Sequence, residues 1–276
     1  MKKAMLMTYS MSGNTRAAAD LVEGALAGAG LAVRRQAIGS GDGAESDWDY
    51  LVIGAPLYFQ IEPLVVRRAI ENLRDGAGKR AFLFTTYADA RGGRPDYRMV
   101  SNLTELLARK GIDVIGSAGL VCNDSSDILV RMRHRNDRPY EADKARFRQE
   151  VEALSRSLAA GSAAEGPPAA AGPTAAVGKR GARLYRGNPI TWAACPPIRV
   201  DDSVCNRCGI CVKTCPAGNL AMDGRLSIGA DCMKCYACEN ACPRKAIRPE
   251  WRFLEWMYRL PPKYASSGSR VKFRYH

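Results

Sequence analysis

A chain of 276 residues with 46% hydrophobic and 25% charged side chains is long enough for about two globular domains, each burying its own core. Its formal charge of +13 favours acidic partners, and no helix-turn-helix, zinc-finger or RNA-platform signature accompanies basic runs such as Arg131–Arg138, so nucleic acid is not expected. The opening MKKAMLMTYS is neither a leader nor a spanning helix, and no later stretch nears about 18 uninterrupted apolar residues, so the expectation is a cytoplasmic chain with no membrane span.

The first 160 residues alternate strand and helix signals. Ala4–Tyr9 is a dense apolar run that reads as a buried strand. It breaks at Ser10-Met-Ser-Gly-Asn-Thr15, and a helical pattern follows in which Ala18, Leu21, Val22, Ala25 and Leu26 recur every three or four residues. Gly28 and Gly30 end that helix. Ala32–Ile38 and Tyr50–Ala55 read as strands, Pro63 opens a helix to about Leu73, and Arg80–Thr86 is a fourth strand. Asp96–Lys110 reads as a helix stopped by Gly111, Asp113–Cys122 as a fifth strand, and Pro139 starts a last helix with Leu154 and Leu158 inward. Five strands separated by helices imply a doubly wound α/β fold, a parallel sheet with right-handed crossovers and helices on both faces.

From 161 the chain turns to GSAAEGPPAAAGPTAAVG, which lacks large apolar residues apart from Val177 and cannot supply a core. A linker is therefore expected over 161–194. The next segment, 195–250, holds Cys205-x2-Cys208-x2-Cys211-x3-Cys215-Pro216 and, 27 residues on, Cys232-x2-Cys235-x2-Cys238-x3-Cys242-Pro243. This spacing matches the bacterial ferredoxin run for two [4Fe–4S] clusters, where the fourth cysteine of each run ligates the other cluster. Cys205, Cys208, Cys211 and Cys242 are accordingly assigned to one cluster, and Cys232, Cys235, Cys238 and Cys215 to the other. Zinc ribbons use paired rather than triple cysteines, and a disulfide framework suits a secreted chain. The tail 251–276 interleaves aromatic and basic residues; Trp251, Phe253, Trp256 and Tyr258 read as a cap on a core, and its arginines and lysines as a docking face.

In an open parallel sheet, ligands bind beyond the carboxyl ends of the strands. The first such end carries Ser10, Ser12, Gly13, Asn14 and Thr15 ahead of a helix, small hydroxyl residues and N–H groups that form a nest for phosphate. No lysine follows Gly13, so this is not a nucleoside-triphosphate loop, and no G-x-G-x-x-G is present. S-x-S-G-N-T after the first strand resembles the phosphate loop of flavodoxins, and the five-strand alternation extends that likeness over about 1–160. With the cysteine unit, the chain resembles ferredoxins that carry a flavodoxin-like N-terminal region: a five-stranded flavodoxin-like sheet plus a small α+β two-[4Fe–4S] domain. The resemblance implies flavin mononucleotide (FMN), with its ring held by the loops after strands three and four. The matching stretches are Pro56, Leu57, Tyr58 and Phe59, and Thr85, Thr86, Tyr87 and Ala88 continuing to Gly92 and Gly93. Tyr58 and Tyr87 either stack on the ring or, for Tyr58 and Phe59, close the core at a strand end.

No catalytic residue is singled out. The two histidines, His134 and His276, form no nucleophile set, and Cys122 and Cys195 fall outside the ligand pattern as packed or idle thiols. Two clusters and a bound phosphate would lower the net charge to about +7. The expected function is electron transfer between the clusters, the FMN site and acidic redox proteins. The alternatives are an FMN-dependent reductase fed through the clusters, and a flavin-free docking module attached to a ferredoxin.

Overall fold

The computed structural model describes residues 1–39, 47–58, 61–74, 76–88, 98–123, 139, 141–161 and 196–250. They fall in two compact units.

The first unit contains strands β1 (Lys3–Thr8), β2 (Ala32–Ala37), β3 (Tyr50–Pro56), β4 (Lys79–Tyr87) and β5 (Ile112–Val121). Its helices are α1 (Asn14–Gly28), α2 (Leu64–Glu71), α3 (Arg98–Ala108) and α4 (Glu141–Ala160). The sheet runs β2-β1-β3-β4-β5 with every neighbour parallel. That order is the flavodoxin-like one among doubly wound sheets. Central β3 is buried along Tyr50–Ala55, as its unbroken apolar run demands of a strand covered on both faces. β2, at the sheet edge, keeps polar Arg34 and Arg35 exposed.

Consecutive Thr85 and Thr86 show which helix covers which face. The Thr86 hydroxyl meets Thr15 of α1, whereas the Thr85 hydroxyl points at Met99 Sδ of α3, 3.8 Å away. On the α1 side, Ala18, Val22 and Leu26 pack with Leu6, Val52, Phe82, Phe84 and Leu120, and with Phe147, Val151, Leu154 and Leu158 of α4. The stripe read from the sequence is the buried one, with Leu21 and Ala25 at its margin. Phe84 lies across Gly54, its register partner on β3, where a Cβ would fall 2.0 Å from the ring. Only glycine fits beneath that ring.

Element ends differ from the sequence reading by one or two residues. Tyr9, Ile38 and Cys122 lie one residue beyond β1, β2 and β5, although each still donates its N–H to a neighbouring strand's last carbonyls. Pro63 caps α2 in an extended conformation instead of opening it, and α2 stops at Glu71 because Leu73 N–H bonds Ile70 in a tighter turn. The first part of the expected third helix, Asp96 and Tyr97, lies outside the described residues.

The second unit contains α5 (Ile210–Thr214), β6 (Leu220–Asp223), β7 (Arg225–Ile228) and α6 (Ala237–Ala241). β6 and β7 form an antiparallel hairpin turning at Gly224, whose φ is +66°. A second antiparallel link joins Val200 to Ile247. Leu220, Leu226 and Ile247 form the core with Cys211 and Cys238. So small a core leaves much of this unit's stability to whatever its thiols bind.

The 27-residue repeat is a conformational one as well. Arg207 and Lys234, Gly209 and Tyr236, and Gly218 and Lys245 occupy equivalent positions, and all six have φ between +50° and +73°. Four of them are not glycine. Left-handed residues of that kind cost about 1–2 kcal/mol each and persist where the surrounding structure requires them.

Candidate functional site

Each cysteine run is bent by its left-handed residues, and its third cysteine is the second residue of a five-residue helix. Cys205, Cys208 and Cys211 line one cavity, and the fourth cysteine on it is Cys242, from the other run. Cys232, Cys235 and Cys238 line a second cavity, together with Cys215. Each run sends its last cysteine across to the opposite cavity. All eight thiols are free, and no disulfide links any described cysteine.

The crossing cysteines have matching surroundings. The Asn219 N–H donates to Cys215 Sγ at 3.3 Å, and the Ala246 N–H donates to Cys242 Sγ at 3.3 Å. Burial pushes the Cys242 thiol up, but donors from Ala246, Arg244, Ile247 and Lys245 outweigh it and leave the thiol below its ordinary value. Burial dominates at Cys211 and Cys232, which are raised, and at Cys238, which is pushed up to about 12. Metal coordination deprotonates such a thiol outright. Among the described residues no three Cys, His, Asp or Glu side chains converge tightly enough for one metal ion. Four thiols on each cavity supply the ligand count of a cubane, whose ligands stand at separate corners.

At the carboxyl end of β1, Gly13 has φ +91° and caps α1 without a side-chain hydrogen bond. No L side chain adopts that φ readily, which accounts for the glycine. Ser12 is exposed and Asn14 half-buried at the first turn. Ser10 Oγ is buried with no hydrogen-bond partner among the described residues. A buried hydroxyl left in that state needs an acceptor or a donor, and a phosphate oxygen supplies the first. Thr15 behaves differently: it is 1% exposed, and its hydroxyl is 2.8 Å from that of Thr86, also buried. Its side chain is engaged inside the fold, leaving the backbone as its contribution to the loop.

The ring-loop residues are partly described. Pro56 ends β3, and Leu57 N–H bonds Thr86 O at 2.9 Å, which holds the two loops side by side. Tyr58 and Ile61 exchange both backbone hydrogen bonds, and the Tyr58 ring meets Tyr9 edge-on with centroids 6.4 Å apart. Tyr87 is half-buried over β5, close enough that a Cβ on Gly119 would come within 3.1 Å of its ring. Ala88 is half-buried. Phe59, Gly92 and Gly93 lie outside the described residues, as do Asp89, Cys195, both histidines, 162–194 and 251–276.

Sequence reasoning missed one element here. Glu62, next to the first ring loop, is wholly buried; it accepts from Arg67 Nη2 at 2.6 Å and from Asn102 Nδ2 of α3 at 3.0 Å. Burial raises the carboxyl above its ordinary value despite Arg67 and Asn102. Cys122 was expected to be a packed thiol and is buried, with its proton held up to about 12 by burial and by Asp143.

The strand order and the loops at its carboxyl edge define an α/β unit of the flavodoxin-like class, and the cysteine cavities define an iron–sulfur unit. Residues 197–244 match the family described as 4Fe-4S dicluster domain. No curated protein matches the chain. Among solved structures, the flavodoxin of Megasphaera elsdenii is similar at 22% identity and a TM-score of 0.41, covering 57% of this chain and 98% of that one. A flavodoxin from the domain Archaea is similar at 16% identity and a TM-score of 0.40, covering 58% and 97%. Rubredoxin oxygen:oxidoreductase from Desulfovibrio gigas is similar at 15% identity and a TM-score of 0.44, covering 58% of this chain; the chain spans 37% of that protein's length. The chain joins a flavodoxin-like fold to a segment, 197–244, that matches a 4Fe-4S dicluster domain. Among the described residues no helix is long and apolar enough to cross a membrane.

Proposed function

We propose that this chain is an electron carrier that holds two [4Fe–4S] clusters and FMN and exchanges electrons with acidic redox proteins. The observation that carries the reading is the sorting of eight cysteines into two separate cavities of four. Cys205, Cys208, Cys211 and Cys242 hold one cluster; Cys232, Cys235, Cys238 and Cys215 hold the other. Ser10, Ser12, Gly13 and Asn14, with the N–H groups of Thr15 and the α1 terminus, hold the FMN phosphate. The segments Pro56–Tyr58 and Thr85–Ala88 border its ring, joined by Phe59, Gly92 and Gly93. The unpartnered Ser10 hydroxyl supports this phosphate site.

When bound, the clusters exchange single electrons and FMN exchanges one or two, so the chain can connect donors and acceptors of different electron number. The protein's share is positional. Main-chain donors to Cys215 and Cys242 stabilise negative charge on sulfur, and apolar residues make up much of the lining of each cavity. The domains are proposed as 1–160, a tether over 161–194, 195–250, and a basic aromatic tail over 251–276. A tether of that composition keeps the two redox units at high mutual concentration. Eight metal-binding thiols suit the reducing cytoplasm.

Anaerobic purification of the full chain, with iron, sulfide and flavin counted and EPR recorded after dithionite reduction, tests the reading. About eight irons and one FMN per chain, with interacting cluster signals, are expected. Zinc in place of iron would overturn the cluster assignment, and iron without flavin would leave a ferredoxin on a docking platform.

A further inference from the structure

The repeat makes the two cysteine cavities comparable position by position, and they differ in a consistent direction. Ile210 and Arg244 border the first cavity; the equivalent positions on the second are Ala237 and Ala217. Ile210 is 40% exposed, the only large hydrophobic side chain besides Met1 to be exposed among the described residues, whereas Ala237 is 5% exposed. Cys208 is exposed and its counterpart Cys235 is partly buried. Arg207 and Arg244 are both exposed, and neither has an ion-pair partner among the described residues. On the second side, Ile198 borders the cavity, and the Tyr236 hydroxyl anchors that segment by donating to Pro196 O at 3.0 Å. One cavity reaches the surface through an exposed thiol, an apolar side chain and uncompensated positive charge. The other has alanines, Ala237 and Ala217, where that apolar and basic rim stands.

We propose that the rim formed by Cys208, Ile210 and Arg244 is the port where the chain docks an acidic redox protein and exchanges electrons with it, the second site standing behind it. This rests on the two-cluster reading above. An exposed apolar residue ringed by unpaired charge is how transient protein contacts are built: the apolar centre desolvates, and the charge speeds and orients the encounter. An exposed sulfur ligand gives the shortest path from cluster to surface. In the step itself one electron leaves the reduced cluster, which is oxidised, and enters the partner's metal, which is reduced; no proton or bond is transferred.

The test uses the anaerobically purified full chain. Iron and sulfide are counted first, so a chain without clusters fails the underlying reading and is told apart from a failed port. Plant plastocyanin serves as an acidic one-electron acceptor and mitochondrial cytochrome c as a basic one. Reduction rates are followed by stopped flow, and binding is measured by calorimetry with both proteins oxidised, where no electron moves. At low salt Arg244→Glu should weaken plastocyanin binding and slow its reduction about three- to tenfold, converge with the wild type at high salt, and favour cytochrome c. Ile210→Asn should weaken binding at every salt concentration. Lys234→Glu, beside the second cavity, should change either quantity by less than about twofold. Two results would overturn the port, each with iron content intact: Lys234→Glu acting as strongly as Arg244→Glu, or no effect from either first-rim variant.

Discussion

Thr15 and Thr86 share a hydrogen bond of 2.8 Å between two buried hydroxyls, and it ties the start of α1 to the carboxyl end of β4. The residues are 71 positions apart. One end of the bond belongs to the phosphate loop and the other to a ring loop, so the two halves of the proposed flavin site share a single strut.

Cutting that strut on one side leaves a buried hydroxyl without a partner. Thr86→Val should cost about 1–3 kcal/mol in chemical denaturation, and Thr15→Val a similar amount. The double variant should cost clearly less than the two single costs added, since both polar groups are then gone. Strict additivity in the double-mutant cycle would show that the hydroxyls do not interact.

Ser10 offers the opposite case. Its hydroxyl has no partner among the described residues, so Ser10→Ala should leave the stability of the apoprotein unchanged or slightly higher. The same change should weaken FMN binding about tenfold, the value of one hydrogen bond to a charged group. Fluorescence titration of the apoprotein with FMN gives the affinity, and denaturation gives the stability. An unaltered affinity would remove Ser10 from the phosphate site.

The crossing of the fourth cysteines predicts which cluster fails when one is lost. Cys215→Ala should abolish the cluster held by Cys232, Cys235 and Cys238 while the other stays, with iron falling from about eight to about four per chain and the interaction between EPR signals disappearing. Cys242→Ala should give the complementary loss. If either variant instead destroys the cluster of its own run, the ligands do not cross.

The Glu62–Arg67 pair makes a pH-dependent prediction. Arg67→Met takes the cation away from the wholly buried Glu62 carboxylate, at a cost of about 3–5 kcal/mol near neutral pH. The carboxyl is already above its ordinary value in the fold, and losing Arg67 raises it further. The folded protein then takes up a proton that the unfolded chain does not hold, so the variant regains stability as pH falls toward the ordinary glutamate range and loses it as pH rises. Glu62→Gln, placed in the same background, should flatten that dependence. Denaturation midpoints across pH 5 to 8 check it; a loss independent of pH would place the cost in packing alone.

What was legible in the sequence was local. β3 reads as a strand because six consecutive residues are buried on both faces, and α1 because Ala18, Val22 and Leu26 repeat at helical spacing. The cysteine runs were readable because three of four thiols on each cavity lie within seven residues. The hairpin of β6 and β7 carries a local signal as well, the Asp223-Gly224 turn between two short strands.

Long-range pairing was not legible. Thr15 has the residue type of a phosphate contact, yet its hydroxyl goes to Thr86, which nothing nearby in the chain announces. Nothing near Glu62 in the chain announces its burial, in which Arg67 and, from α3, Asn102 donate to its carboxylate. Tyr236 follows the repeat in position but breaks it in chemistry. It adopts the left-handed conformation that Gly209 adopts in the first run, and its hydroxyl is bonded to Pro196.

The matched sulfur-directed donors on Asn219 and Ala246 belong to the peptide chain itself. Side-chain replacement at either position leaves them in place, and only proline, which has no N–H, deletes one. Evolution can therefore retune these centres through what surrounds the sulfurs far more easily than through what donates to them. A pair of halves that share the same skeleton of donors can still diverge into a surface terminal and a sheltered reservoir.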